Sequence, residues 1–281
     1  LHPGGAMQAT LRGRTHYAGR ETTAASFFFM FGQMGFFFGP IIPGPLLGAF
    51  GLFGLLIPAG LCLPVALNAG WQLRHTHPAQ PTEKKEAAIR INRSTWFIVT
   101  LATVAVLQAW AQQNMMTFLP KYLKDLGQAP ALYGLITGLF MGGSALGNVL
   151  GGQLADRFGK QRVAGTMLAL ASIPLFLIPQ VGWSHWLYLL VPLAGMLSGS
   201  VHSIVVVIAQ GTIKGGMALA SGLILGIMFS AGAFGTLLSG PIADSSGFPL
   251  VFQMTAGLVL TASLVTTRLR EAVPKASVVE A

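Results

Sequence analysis

The stretch GGQLADRFGKQR, residues 151–162, sets Asp156, Arg157, Lys160 and Arg162 among glycines in a chain of which only 9% is charged. Long apolar sequence flanks it on both sides. The chain has 281 residues, 53% of them hydrophobic, and a mean hydropathy of +0.65. So few charges cannot cover a water-facing surface, where about a quarter of residues are usually charged. Apolar runs of about 20 residues, each able to cross roughly 30 Å of hydrocarbon as a helix, recur along the whole length. The reading is an all-α polytopic membrane protein with eight transmembrane helices, over 22–48, 51–73, 95–119, 131–155, 163–181, 186–210, 217–242 and 248–268. The charged stretch is the hairpin between the fourth and the fifth of them.

A net charge of +9 would suggest nucleic acid in a soluble protein. Here the basic residues follow the loops instead. If residues 1–21 are cytoplasmic, alternate loops are too, and of 17 basic residues only Lys121 and Lys124 fall outside. That asymmetry orients a bundle in the plasma (inner) membrane with a cytoplasmic C-terminus, its basic loops against anionic lipid headgroups. No nucleic-acid partner is expected, and the chain reads as a monomer in the bilayer.

The interval 74–94, "RHTHPAQPTEKKEAAIRINRS", mixes proline with charge and has no apolar period, as a cytoplasmic linker would. It divides two helices from six. Asn92 opens a glycosylation sequon that a cytoplasmic loop never exposes to the glycosylation machinery. Cys62 is the single cysteine, which excludes an internal disulfide and reads as packing within an apolar segment. The opening "LHP" reads as the tail of an earlier helix, and the chain as truncated. Sliding the chain by 196 residues lays Gly39, Gly44, Pro45 and Gly51 over Gly235, Gly240, Pro241 and Gly247. Six helices separate the matched segments, so the repeat is parallel, about an axis along the membrane normal.

Gly152, Asp156, Arg157, Gly159, Lys160 and Arg162 fill every glycine and charged position of G-x-L-a-D-R-x-G-R/K-x-R/K, the loop that the stretch resembles in the major facilitator superfamily. The resemblance implies helices five to twelve of a twelve-helix transporter: 1–73 as the last part of an N-terminal six-helix bundle, 74–94 as its linker and 95–281 as a complete C-terminal bundle. Shorter segments, "LHPGGA", "GMALASGLILGIMFSAGAFG" and "GPIAD", resemble the fosmidomycin-resistance branch of drug exporters. Physically, Gly159 supplies the sharp turn, and the basic residues hold it at the headgroups. Asp156 suits the free N–H groups and positive dipole at the start of a neighbouring helix, an interaction of roughly 0.3–1 kcal/mol. The resemblance implies that this helix is the fifth, beginning near Glu21 and Thr22, and that the contact is a latch made in one access state. Arg157 would then orient Asp156 or pair with Glu21. A solvated turn that only sets topology is the alternative.

Gly35, Gly39, Pro40 and Gly44 resemble the antiporter motif of the fifth helix in drug exporters, core G-x-x-x-G-P-x-x-G-G, departing from it at Ile41, Ile42 and Pro43. With Gly235, Gly240 and Pro241 they form a candidate helix-packing motif. Polar side chains inside a membrane are the default functional candidates. Gln108 and Gln112 share a face of one helix, whereas Gln113 and Asn114 turn away from it. Gln108 and Gln112, with Trp110, Gln33 and His202, are candidate cavity residues; helix-to-helix hydrogen bonding and a satisfied structural histidine are the alternatives. All eight acids lie in loops or at helix ends. If the protein is a proton antiporter, its intramembrane acid belongs to the missing helices. No nucleophile and base, metal cluster or phosphate loop is present, so neither an enzyme nor a cofactor is expected. The functional reading is proton-driven export of a small organic compound or drug by alternating access. A metabolite importer or exchanger, and a non-transporting membrane fragment or receptor, remain alternatives.

Overall fold

The computed structural model describes residues 2–16, 19–75, 90–91, 95–214 and 216–269. Most of the expected linker, with Glu83, Lys84, Lys85, Glu86, Asn92 and Arg93, and the C-terminal residues from 270 lie outside them. The helices are α1 (His2–His16), α2 (Glu21–Ile41), α3 (Pro43–Phe50), α4 (Leu56–His75), α5 (Thr95–Asp125) and α6 (Pro130–Phe158). They continue as α7 (Lys160–Val181), α8 (Leu187–Gly199), α9 (Val201–Thr212), α10 (Met217–Ser246) and α11 (Phe248–Thr266). A 3₁₀ turn, Gly51–Leu55, joins α3 to α4. Strands β1 (Arg90–Ile91) and β2 (Ile213–Lys214) form one short antiparallel pair, Arg90 opposite Lys214.

Among the described residues, seven stretches are long and apolar enough to cross a membrane. One of them, Glu21–Asn68, runs for 48 residues, roughly 70 Å as a helix and so the length of two crossings. The eight expected spans overlap these seven, three of them running one to five residues past the observed ends, with two corrections of continuity. The span 22–48 breaks at Ile42, because Pro43 and Pro45 bring no N–H to the carbonyls one turn back. The span 186–210 breaks at Ser200, whose hydroxyl takes the Leu197 carbonyl at 2.7 Å in competition with the backbone.

Two further expectations are corrected. Residues 1–21, read as a loop after a short helical tail, hold a helix to His16. It is polar and gains its stability from packing: Ala6 and Thr10 are buried, Gly5 lies under the Phe28 ring, and Gly13 meets Ala24 of α2. Cys62, read as a packed side chain, is exposed. Helix α4 is apolar all round, so a small thiol finds no core side to turn to.

The core lies among α5–α11, around Phe140, Met115, Leu119, Ile136, Leu168 and Phe252, all fully or almost fully buried. Helix α6 is sandwiched between α2 and α8, while α5 packs on α10 and α11. The repeat has a backbone counterpart: Gly51 ends α3 at φ 58° and Gly247 ends α10 at φ 84°, both in the left-handed region that favours glycine.

Contacts gather the starts of α2 and α7 and the ends of α1, α6 and α11 at one basic end of the molecule. Lys121, Lys124 and Asp125 stand at the other. If the basic end is cytoplasmic, an impermeant thiol reagent on intact cells should label a cysteine placed at Lys124 and spare one placed at Lys85. A Cys62-free background is needed, since that thiol is exposed. The reverse labelling would invert the orientation.

Candidate functional site

At the basic end, α6 stops at Gly159, whose φ of 95° turns the chain directly into α7. Asp156 in the last turn of α6 reaches the start of α2. Its carboxylate accepts the backbone N–H of Thr22 at 3.2 Å, the N–H of Thr23 at 2.8 Å and the Thr23 hydroxyl at 2.8 Å. These are N–H groups that a helix start cannot satisfy internally, aimed at an anion. Glu21 pairs with Arg14 of α1 and, at 3.2 Å, with Lys160 of α7. Of the two roles offered to Arg157, the pair with Glu21 is not formed among the described residues. Its guanidinium instead stands 5.2 Å from the centre of the Phe158 ring, and Arg162 is exposed at the start of α7.

A cavity of about 130 Å³ opens midway along the helices, between α2 on one side and α5, α6, α9 and α10 on the other. Gln33, Gln112 and His202 lie on its wall. The rest of the wall is aromatic and sulfur-rich: Phe28, Phe29 and Phe36 from α2, Met116 and Met141, and Met228 with Phe229 from α10. The His202 ring meets the Phe29 ring edge to face, centroids 4.8 Å apart. Among the described lining residues His202 is the one titratable side chain.

Three placements on α5 differ from expectation. Trp110 is off the wall: its indole N–H donates to the Ser239 hydroxyl at 2.9 Å, and its ring covers Gly235, where a Cβ would collide with it. A half-buried indole facing a neighbouring helix needs an acceptor, and α10 supplies one. Gln108 is fully buried behind the wall and donates to Gln112 Oε1 at 2.9 Å. Gln113, expected to turn away, is on the wall, because the cavity wraps around α5 from α2 to α10. Asn114 does turn away, donating to Thr255 of α11 at 3.1 Å.

The candidate packing glycines divide. Gly44 packs on the Pro130 carbonyl, a Cβ there reaching within 2.7 Å, whereas Gly35, Gly39 and Gly240 have nothing within 4 Å among the described residues. Pro40 takes part through its carbonyl, which faces Gly134, and Pro241 lies within α10. The closest approaches lie on α6, which sequence reasoning passed over. Gly134, Gly138 and Gly142 meet Pro40, Ile41 and Phe37 around the end of α2, while Gly143, Gly147 and Gly151 meet Pro192, Met196 and Ser200 along α8. Two four-residue stripes nearly opposite each other on one helix were the available signal.

A helical bundle with this charged hairpin and a cavity between its two sides has a counterpart in sequence: residues 101–280 match the family profile described as Major Facilitator Superfamily. The chain belongs to the major facilitator superfamily. That is a family of transporters, so the protein is a multi-pass membrane protein and not an enzyme. The fosmidomycin resistance protein of Escherichia coli (strain K12) is 27% identical over 257 residues, 88% of this chain and 62% of its own length. An uncharacterized MFS-type transporter, YfnC of Bacillus subtilis (strain 168), is 38% identical over 103 residues, 37% of this chain and 25% of its own length. The chain thus spans less than two thirds of either relative.

Proposed function

We propose that this major facilitator protein is a secondary active transporter that exports a small organic compound or drug by alternating access, drawing on the proton gradient. The cavity carries the reading. It lies where α2, from before the linker segment, faces α5, α9 and α10 from after it, and its wall joins aromatic and thioether surface to a few amides. Such a wall suits apolar compounds of varied shape. Asp156 and the start of α2 act as the latch that holds the basic end closed, with Glu21, Arg14 and Lys160 beside it. The distant likeness to a fosmidomycin resistance protein supports export.

The test is growth. Bacteria stripped of their own exporters and expressing the protein should tolerate fosmidomycin, or a lipophilic aromatic drug, at several-fold higher concentration than cells with empty vector. Gln112→Ala should change the ranking of tolerated compounds while membrane insertion stays unchanged, since an amide adds nothing to the insertion of an apolar helix. No gain against any compound would sink the export reading. A gain with an unaltered ranking would remove Gln112 from the substrate path.

A further inference from the structure

Two groups of opposite hydrogen-bonding character flank the break at Ser200, and each reaches the cavity through one buried amide. On one side stands the backbone N–H of Ser203, in the first turn of α9, which can only donate. It donates to Asn148 Oδ1 at 3.3 Å. Asn148 is fully buried, and with its oxygen committed its Nδ2 is the atom turned towards α2, where it donates to Gln33 Oε1 at 3.5 Å. Gln33 is 7% exposed and lines the cavity; its oxygen is held behind the wall, and its Nε2 donates to no described residue.

On the other side stands the Ser198 carbonyl, which can only accept. Gln108 Nε2 lies 3.5 Å from it and donates to Gln112 Oε1 at 2.9 Å. Gln112 therefore also turns its Nε2 outward, towards the sulfur of Met141 at 3.9 Å on the cavity wall. Side-chain amides are otherwise free to be placed either way round. Here turning Asn148 over would set N–H against N–H at Ser203, and turning Gln108 over would set oxygen against oxygen at Ser198.

We propose that Asn148 and Gln108 are positioning residues that make the Gln33 and Gln112 faces of this wall hydrogen-bond donors, unlike Gln113, whose Nε2 is given to Thr117 at 3.4 Å, and that the ligand at those two faces is an apolar aromatic molecule carrying acceptors such as a carbonyl or ether oxygen. The inference rests on the cavity being the substrate path. A ligand that brought only N–H groups to Gln33 and Gln112 would leave donors unpaired on both sides of an apolar pocket, which is how a polar site rejects the wrong partner.

Three bicyclic probes of nearly equal size test this: fluoroindanone, which only accepts; fluoroindole, which donates; and fluoroindane, which does neither. Each is titrated against the detergent-solubilised full chain and followed by fluorine NMR line broadening, with Met116→Trp as a filled-cavity control for partitioning into detergent. Fluoroindanone should bind roughly 5- to 20-fold tighter than the other two. Asn148→Leu should bring fluoroindanone and fluoroindole close together while leaving fluoroindane unchanged. If that variant does not fold, Gln33→Met, which keeps the wall's size and removes one donor, should lower fluoroindanone towards fluoroindane. Equal affinities in the unmodified chain would overturn the donor surface and leave the cavity standing, as would a preference that survives both substitutions. Broadening no greater than in Met116→Trp would remove the cavity as a binding site, and the inference with it.

Discussion

Asp156→Asn should insert and fold normally, transport poorly, and widen the basic end of the molecule in distance measurements between α2 and α6. The carboxylate accepts three hydrogen bonds at the start of α2, from two backbone N–H groups and one hydroxyl. Asparagine keeps the size, loses the charge that faces the helix dipole, and replaces one acceptor oxygen by an NH₂ that meets other donors. Hydrogen bonds to a charged group contribute more than neutral ones, so the closed arrangement should lose about 2 kcal/mol, roughly 30-fold in population. The pairs of Glu21 with Arg14 and Lys160 remain, but pairs so near the surface recover little of that. Orientation should not change, because acids contribute little to it. Normal transport with unaltered distances would reduce the hairpin to a turn.

The second large effect is structural. Gly147→Ala should destabilise the bundle by about 3 kcal/mol, read as a lower melting temperature in detergent, because its Cβ would be driven into the Met196 carbonyl oxygen of α8. Backbone cannot step aside as the tip of a side chain can. Gly143 and Gly195 repeat the same contact nearby, against the carbonyls of Pro192 and Phe140, so α6 and α8 would have to separate along several turns. Gly35→Ala is the contrast. Nothing described lies within 4 Å of that position, and the substitution should stay within about 0.5 kcal/mol of the parent chain. Equal losses at both positions would show that glycine acts through backbone freedom and not through close approach.

The charged hairpin was legible from sequence because its chemistry is local: Asp156, Gly159 and the basic residues stand within seven positions, and a helix start needs an anion wherever it lies. The cavity was only partly legible. Helical spacing gives the angle between Gln108, Trp110, Gln112 and Gln113 but not which neighbour each angle meets. Trp110 is held by Ser239, 129 residues away, and Gln113 faces a cavity whose other walls come from α2 and α10. Asn148 went unremarked although an amide inside a membrane helix is a candidate by default. Its importance depends on Ser203, whose N–H is offered to it only because the helix breaks at Ser200. Helix α1 was missed for a related reason: its sequence carries no apolar stripe, and contacts with α2 and α10 decide it.

Helix α4 stands apart from this web of contacts. Its main described neighbour is the short turn before it, and Leu61, Leu63, Val65, Leu67 and Trp71 are all more than 60% exposed, on every side of the helix. Among the described residues, packing does little to hold its backbone hydrogen bonds closed, and whatever covers the helix must exclude water from them. Among the described residues α4 therefore shares little packing with α5–α11, and its amides should exchange faster than those of α6. Amide hydrogen exchange in α4 reports what covers it, lipid, detergent or further helices, whereas exchange in α6 reports the packing against α2 and α8.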